Sequence, residues 1–282
     1  MEFLVKKNDL FRRASKNPMT TVTADFTGMV LISGGAAGIG RAIAESFLLA
    51  GAKIHVCDSS AENLDVFLAA NTDATATLAD VSNPAQVEQV FSDLRNRGEG
   101  LDVLINNAGV AGPTAGVEDV SIDDWDRCIA VDLNGVFYMT RQAVPMLKQN
   151  QGGSIINIAS GAALFGCPLR SPYVASKWAV IGLTKTWSME LGPHNIRVNA
   201  ICPGSVAGER IDAVIERDAT ERGLSTDEIR DVYLRQSSMR TFVSPEDVAN
   251  TALFLAAESG ARISGQSIAV DGHTESLANW LD

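Results

Sequence analysis

A glycine-rich run that joins a buried strand to a helix constrains this chain more than any other feature. The run Ser33–Gly40 (SGGAAGIG) follows the apolar residues 29–32 and precedes a helical pattern that extends to Ala50. Glycines allow a tight turn and a close approach of the backbone to a ligand, and a helix N-terminus presents free N–H groups to phosphate. Strand, glycine turn and helix in this order predict a dinucleotide site. The alternative is an ordinary glycine-rich turn between a strand and a helix.

An acidic residue at the end of the second predicted strand indicates which dinucleotide binds. The strand 53–57 leads directly into Asp58. A carboxylate about 20 residues past the glycine turn usually binds the hydroxyls of the adenosine ribose. It repels a 2′-phosphate, and residues 57–60 (CDSS) contain no Arg or Lys to hold one. The pattern therefore favours NAD over NADP. The alternative role of Asp58 is to cap the next helix.

Apolar runs of strand length alternate with helical patterns along the chain. The alternation predicts an α/β fold, a Rossmann-type doubly wound parallel sheet of about seven strands with helices on both faces. The predicted strands lie near 29–34, 53–57, 74–79, 101–106, 153–159, 196–201 and 266–270. The predicted helices lie near 39–50, 60–70, 84–97, 122–149, 172–191 and 245–257.

Residues 25–282 are predicted to form a single domain, because no linker, repeat or low-complexity tract interrupts them. Within this domain, residues 205–240 carry two short amphipathic patterns, which predict a pair of helices that acts as a lid or as a plain surface pair. Residues 1–24 are basic and have no apolar core, so we expect a flexible extension rather than a signal peptide. Met19 is an alternative start, and deletion of residues 1–18 is expected to leave activity intact.

Charge and cysteine content exclude several classes of protein. The formal net charge of −11 disfavours nucleic acid and acidic membrane surfaces as partners. No apolar stretch reaches the length that spans a membrane. The four cysteines are widely spaced and form no Cys-x-x-Cys pair, which is typical of a reduced, cytoplasmic protein. The three histidines are dispersed, so we expect no metal site.

Tyr173 and Lys177 lie four residues apart on a predicted helix and therefore share one face of it. A free phenol has a pKa near about 10, too high for a good base at neutral pH, and a neighbouring ammonium favours the phenolate. Ser160 follows the preceding strand, at the edge where open α/β sheets bind ligands, and can hydrogen-bond a reacting oxygen. Together the three side chains predict proton exchange with an alcohol or a carbonyl.

With these residues, the chain resembles the short-chain dehydrogenase/reductase family over about residues 26–272. The run Ser33–Gly40 matches the family's Thr-Gly-x-x-x-Gly-x-Gly, with Ser in place of Thr, and residues 106–109 match its Asn-Asn-Ala-Gly. The resemblance implies reversible NAD(H)-dependent oxidation of a secondary alcohol to a ketone, the alcohol being a sugar, a polyol, a hydroxyacyl group or a cyclic alcohol. It implies the catalytic set Asn134, Ser160, Tyr173 and Lys177, in which Asn134 orders a water beside the lysine.

The resemblance also implies cofactor and substrate contacts. Asp80 and Val81 match the pair that usually holds the adenine ring, and Pro203-Gly204 matches the turn beside the nicotinamide. The expected cofactor contacts are Gly34, Ala37, Gly38, Ile39, Gly40, Asp58, Ser59, Asp80, Val81, Asn107, Ala108, Gly109, Tyr173, Lys177, Pro203, Gly204 and Val206. The expected substrate contacts are Ser160, Ala162, Cys167, Arg170, Tyr173 and Arg210. The two arginines are expected to meet an anionic group or to remain solvated.

The chain departs from the family's pattern at two places. Gly208 stands where the family often has a threonine that contacts the nicotinamide, so this contact is lost or is taken over by Ser205. His273 stands where the family commonly has a glycine, and it either reaches a subunit contact or is an exposed tail residue.

Other functions and the assembly state stay open at this point. The alternatives are an enoyl reductase, dehydratase or epimerase of the same superfamily and a non-catalytic NAD-binding sensor. The spacing of Tyr173 and Lys177 resembles the alcohol/ketone branch, because enoyl reductases of this superfamily commonly space the pair more widely. The complete catalytic set disfavours a sensor. The resemblance suggests a homodimer or homotetramer built on the helices near 122–149 and 172–191.

Overall fold

The computed structural model describes residues 26–277, apart from the side chain of Glu221, so the predicted extension 1–24 with Met19 lies outside the described residues. Within them, seven strands form one sheet in the order β3-β2-β1-β4-β5-β6-β7, and every pair is parallel. The strands are β1 (Met29–Ser33), β2 (Lys53–Asp58), β3 (Thr75–Leu78), β4 (Val103–Asn106), β5 (Gly153–Ile158), β6 (Ile196–Pro203) and β7 (Ser267–Val270). The strand order reverses between β1 and β4, which confirms the predicted doubly wound fold.

Nine α-helices connect or follow the strands in the described part of the chain. They are α1 (Gly38–Leu49), α2 (Ala61–Ala70), α3 (Pro84–Asn96), α4 (Ile122–Ile129), α5 (Gly135–Gln149), α6 (Ser171–Leu191), α7 (Glu209–Arg222), α8 (Thr226–Arg235) and α9 (Pro245–Ala256). The predicted helix 122–149 differs from the observed structure, because a π turn at Ala130–Asn134 separates α4 from α5. Turns of this kind occur frequently at functional sites.

Side chains at the helix starts explain where several helices begin. The side chain of Asn83 accepts the backbone N–H groups of Ala85 and Gln86, and Pro84 follows it at the first position of α3. The side chain of Ser121 accepts the N–H of Asp124 at the start of α4. Such caps satisfy N–H groups that have no partner within the helix, which fixes the helix boundary.

The core lies on both faces of the sheet, as the continuous apolar strands require. Successive residues of β1 point to opposite faces: Ile32 packs in one cluster with Phe47 of α1, and Leu31 packs in another with Phe91 of α3. Both clusters consist of buried side chains, and Ile32, Phe47, Leu31 and Phe91 are fully buried. The sheet is therefore a rigid platform, and only the ends of its strands are free to form a site.

The two helices expected within residues 205–240 are α7 and α8. Ile215 of α7 and Ile229 of α8 are fully buried against each other's helix, and Ile211, Tyr233 and Phe242 pack around them. This small cluster is separate from the cores of the sheet. Among residues 26–277, none of the helices combines the length and the hydropathy that crossing a membrane requires.

Candidate active site

A cavity of about 950 Å³ opens at the carboxyl ends of the strands, where doubly wound sheets bind ligands. The loops after β1, β4, β5 and β6, the end of β2 and the start of α6 line it. All the cofactor, catalytic and substrate residues that the sequence predicts line this cavity, except Gly40 and Asn134. The structure therefore brings predicted site residues that are as far apart in the sequence as Gly34 and Arg210 together in one cavity.

The glycine turn after β1 forms the floor of the cavity. Gly34 has a φ of +60°, which favours glycine, and a Cβ at Gly40 would collide with the carbonyl oxygen of Gly34. Gly40 is thus needed for the close packing of α1 behind the turn. Ala37 occupies the N-cap of α1 and provides no side-chain cap, and the first turn of this helix lines the cavity. These features fit the pyrophosphate of a dinucleotide.

The carboxylate of Asp58 is held in place at the end of β2. Its Oδ2 accepts the N–H of Ala36 at 3.3 Å, and its Oδ1 accepts the N–H of Ser60 at 3.1 Å. Arg41 also lines this end of the cavity, but its Nε donates to Glu45 at 2.7 Å. Arg41 was not predicted as a residue of the site. Its engagement with Glu45 leaves Asp58 as the charged group held against the turn, which fits a ribose diol better than a 2′-phosphate.

Ser33 and Asn107 connect the loop after β4 to the glycine turn. The Oγ of Ser33 accepts the backbone N–H groups of Asn107 and Ala108 at 3.1 and 3.2 Å. The side-chain amide of Asn107 donates to the carbonyl oxygen of Gly34 at 2.8 Å. The serine that replaces the family's threonine thus supplies the same kind of hydroxyl acceptor. The amide of Asn107 supports the floor of the cavity from behind, besides lining it.

Asp80 and Arg127 form an ion pair at the far end of the cavity. The Oδ2 of Asp80 accepts Nη1 of Arg127 at 3.0 Å, and its Oδ1 accepts the N–H of Ser82 at 2.9 Å. Burial opposes the ionised form, but the hydrogen bonds from Ser82 and Arg127 hold the pKa of Asp80 below its usual range. Arg127 lies on α4, 47 residues from Asp80. Sequence spacing alone gives no signal for this contact.

The three predicted catalytic side chains meet at the inner end of the cavity. Lys177 is almost fully buried, and its Nζ donates to the carbonyl oxygen of Ile158 at 3.1 Å. The same Nζ lies 5.7 Å from the ring centroid of Tyr173, which is half-buried. The Oγ of Ser160 accepts the N–H of Ala162 at 3.1 Å, which leaves its own proton free to donate. The arrangement combines a base, a neighbouring cation and a hydroxyl donor.

A second cation lies against the ring of Tyr173. The guanidinium carbon of Arg170 is 5.3 Å from the ring centroid, and Nη2 of Arg170 donates to the carbonyl oxygen of Ala111 at 2.6 Å. Its Nε is buried without a hydrogen-bond partner. Arg170 was predicted as a substrate contact, whereas its contact with the ring of Tyr173 was not predicted. Arg210, on α7, is exposed at the mouth of the same cavity.

Asn134 lies at the end of the π turn, is half-buried, and is not among the residues that line the cavity. Its catalytic role stays a prediction. Asp132, two residues earlier, is fully buried, and its Oδ1 accepts the N–H of Val110 at 2.7 Å. Residues two apart lie on nearly opposite faces of a helix. The segment therefore directs Asp132 toward the loop after β4, which the sequence analysis missed.

The two departures from the family's pattern also have a structural basis. Strand β6 extends through Pro203, two residues beyond its predicted end, and Gly208 caps α7 with a φ of +134°, a conformation that favours glycine. Exposed His273 has its Nδ1 2.7 Å from the Oγ of Ser238. All four cysteines are unpaired. Within residues 26–277, no group of three His, Cys, Asp or Glu side chains is arranged to hold a metal ion.

Comparison with protein-family models and known proteins gives consistent matches over most of the chain. The model of the family described as enoyl-(acyl carrier protein) reductase matches residues 34–273. D-beta-hydroxybutyrate dehydrogenase from Rhizobium meliloti is 36% identical over 256 residues, which cover 87% of this chain and 98% of that protein. The 3-oxoacyl-[acyl-carrier-protein] reductase FabG from Thermotoga maritima is 36% identical over 246 residues, which cover 86% of this chain and 95% of that protein.

A solved structure is similar to the whole described fold. The crystal structure of NAD+-bound xylitol dehydrogenase superimposes with a TM-score of 0.83 at 28% sequence identity. The match covers 89% of this chain and 100% of that chain.

Proposed function

We propose that this chain, which belongs to the short-chain dehydrogenase/reductase family of oxidoreductases, catalyses the reversible NAD(H)-dependent oxidation of a secondary alcohol to a ketone. The proposal rests on one observation: Ser160, Tyr173 and Lys177 line the same cavity as the glycine turn and Asp58. Two relatives named above are dehydrogenases and one is a ketoacyl reductase, which supports alcohol/ketone chemistry.

In the proposed mechanism, each side chain of the inner cavity has a separate task. Tyr173 removes the proton of the substrate hydroxyl as general base. Ser160 donates a hydrogen bond to the same oxygen, which stabilises its developing charge. Lys177 favours the phenolate of Tyr173, and its burial strengthens this electrostatic effect. A bound nicotinamide supplies the hydride acceptor. By the family resemblance, Asn134 orders a water beside Lys177.

The cofactor in this proposal is NAD rather than NADP. Asp58 is fixed by two backbone N–H groups at the end of β2, where a carboxylate usually binds the ribose hydroxyls and would repel a 2′-phosphate. Arg41, the cation on α1 that lines this end of the cavity, donates to Glu45. The structurally similar xylitol dehydrogenase, which was solved with NAD+ bound, supports this choice.

The substrate end of the cavity lies between the loop after β5 and α7. It combines the small, buried Ala162, the half-buried Cys167 and the cations Arg170 and Arg210. This combination suits an alcohol that carries an apolar portion and an anionic group, such as a hydroxy acid. We propose that residues 205–240 act as a lid, because α7 and α8 have their own small core and α7 lines the cavity.

Reduction of a carbon–carbon double bond is the second candidate, because the matching family model carries the description of an enoyl reductase. The two candidates require different substrates. An enoyl reductase would reduce an enoyl thioester with NADH and would show no activity on secondary alcohols. The proposed enzyme, in contrast, oxidises a secondary alcohol and reduces the matching ketone. A dehydratase or an epimerase would convert its substrate without net change in NADH.

We also propose a homodimer or homotetramer in the cytoplasm. Large apolar side chains on α4, α5 and α6 are exposed: Trp125 at 39%, Phe137 at 46% and Trp178 at 50%. Trp187, on the same helix as Trp178, is partly buried and packs against the core instead. Unpaired cysteines agree with a reducing compartment. Analytical ultracentrifugation of the wild type and of Trp178→Glu tests the assembly, and a monomeric wild type would contradict it.

The test of the proposed function is NAD reduction across a panel of secondary alcohols, polyols, sugars and hydroxy acids at neutral to alkaline pH. The proposal predicts turnover of at least one class, with hydroxy acids losing kcat/KM in Arg170→Leu and Arg210→Leu. A panel without any activity, in a protein that binds NAD, would contradict alcohol oxidation and favour the enoyl, dehydratase or sensor alternatives.

A further inference from the structure

A buried carboxyl group near Lys177 takes no part in the function proposed above. Asp132 lies in the π turn between α4 and α5 and is fully buried. Its Oδ1 accepts the N–H of Val110, whereas its Oδ2 is buried without a hydrogen-bond partner. A buried oxygen without a hydrogen bond is costly, and an ionised one requires a nearby positive charge. The surroundings of Asp132 therefore need to supply that charge.

Gly109 separates the carboxyl group of Asp132 from the amine of Lys177. A Cβ on Gly109 would lie 3.2 Å from Oδ1 of Asp132 and 3.5 Å from Nζ of Lys177. Both polar groups thus border the same small space beside the glycine backbone. Lys177 is itself almost fully buried, with Ile158 as its hydrogen-bond acceptor. Because both side chains are buried, their opposite charges interact more strongly than they would in water, even without direct contact.

The other ionisable groups around Asp132 are mostly cationic. The ionisable groups that interact electrostatically with Asp132 are Lys177 on α6, Arg170 at the start of α6, Arg210 on α7 and Cys128 on α4. Burial is the largest influence and holds the pKa of Asp132 above its usual range, although the three cations and the N–H of Val110 favour the ionised form and limit this rise. Burial also raises the pKa of Cys128 to about 11, so this thiol is neutral at working pH. The loop 107–111 contributes no charged side chain.

We propose that Asp132 is a positioning residue which, as the buried counter-charge of Lys177, sets the pH at which Tyr173 becomes an effective base. This inference rests on the proposed function, because it takes Tyr173 as the base and Lys177 as its partner. An ionised Asp132 offsets part of the positive field that Lys177 exerts on Tyr173. Removal of this negative charge leaves the field of Lys177 unopposed, so alcohol oxidation begins at lower pH.

Asp132→Asn tests the proposal, because the amide keeps the size of the side chain and an acceptor for the N–H of Val110 but carries no charge. In the variant, the acidic limb of kcat/KM for alcohol oxidation is expected to move to lower pH by about half to one unit. The melting temperature is expected to stay near that of the wild type. Asp126→Asn is the matched control, since it removes the same charge from an exposed position on α4. It is expected to keep the wild-type profile.

A second readout tests the inference without any substrate. The chain contains three tyrosines, so an ultraviolet titration of each protein, with its Tyr173→Phe counterpart as reference, reports the ionisation of Tyr173. The tyrosinate of Tyr173 is expected at lower pH in Asp132→Asn than in the wild type. Asp132→Ala, which also removes the acceptor for Val110, is expected to show the same shift together with a lower melting temperature.

The two proposals fail in different ways. A wild type that oxidises no alcohol with NAD overturns the proposed function, and the titration of Tyr173 still decides on Asp132. An active wild type with unshifted profiles and unshifted tyrosine titrations in both Asp132 variants overturns the counter-charge alone. In that case, a loss of melting temperature without a pH shift assigns Asp132 a merely structural role.

Discussion

Acid should destabilise this protein through one buried histidine, His55, on the strand that carries Asp58 into the site. His55 is fully buried, its Nδ1 lies 2.6 Å from the Oγ1 of Thr75, and its Nε2 lies 3.1 Å from the Oγ1 of Thr77. Burial, with a smaller contribution from Arg97, lowers the pKa of His55 from 6.5 to about 4, although Asp93 opposes this shift. The folded protein thus keeps the ring neutral under conditions in which the unfolded chain protonates it.

The size of the effect follows from the two pKa values. Because the folded pKa lies below the unfolded one, the stability contribution of neutral His55 is complete above about pH 6.5 and is lost as the pH falls toward about 4. The shift corresponds to about 3 kcal/mol over the whole window, of which about 2 kcal/mol is lost between about pH 7 and about pH 5.

Urea unfolding at about pH 7 and about pH 5, at one protein concentration, measures this loss. In His55→Gln, which cannot titrate but keeps a polar group between the threonines, the loss on acidification is expected to be smaller than in the wild type by about 2 kcal/mol. His194→Gln removes an exposed histidine and serves as the control, with the acid response of the wild type. Equal acid responses of His55→Gln and wild type would refute the reasoning.

Two further predictions concern the cofactor end of the cavity. Asp58→Ala should lower kcat/KM with NAD about 10- to 100-fold, because one charged hydrogen bond to the cofactor is lost, and it should reduce the ratio of kcat/KM with NAD to that with NADP. Steady-state kinetics with both cofactors measure this ratio, and an unchanged ratio would contradict the role of Asp58. Gly40→Ala should abolish NADH binding or lower stability by at least about 1–3 kcal/mol, because its Cβ collides with the carbonyl of Gly34. The matched control is Gly182→Ala on α6, because a Cβ there has no atom within 4 Å. If Gly40→Ala kept the NADH binding and the stability of the wild type, the close packing of Gly40 against Gly34 would be contradicted.

The fold was predictable from the sequence because its strands are buried on both faces. A run such as Met29–Ser33 is apolar at almost every position, because its side chains enter the core clusters on both faces of the sheet. The helix starts were predictable where side chains cap them, as at Asn83 and Ser121. The π turn at Ala130–Asn134 was not predicted, because residues on both sides of it keep a helical pattern that predicts one continuous helix.

The candidate site was predictable where local motifs form it and not where distant side chains meet. Tyr173 and Lys177 share a helix, so their spacing fixes their proximity. The contact of Arg127 with Asp80 and that of Arg170 with the ring of Tyr173 depend on where long side chains reach after folding. The prediction named Asn134 of this segment, whereas the burial of Asp132 in the π turn was not predicted. An acidic residue in the apolar run Val131-Asp132-Leu133 was the available signal for a buried carboxyl group.

The central claim is that Tyr173 is the base of an NAD-linked alcohol oxidation. The most direct measurement compares kcat for the best alcohol in the wild type, Tyr173→Phe and Tyr138→Phe, with NADH binding measured in each protein. Tyr138 is half-buried on α5 and does not line the cavity, so it is the matched control. The account predicts a loss in kcat of about 10²- to 10⁴-fold or more in Tyr173→Phe, with NADH binding retained, and wild-type turnover in Tyr138→Phe. Near-normal turnover in Tyr173→Phe would contradict it.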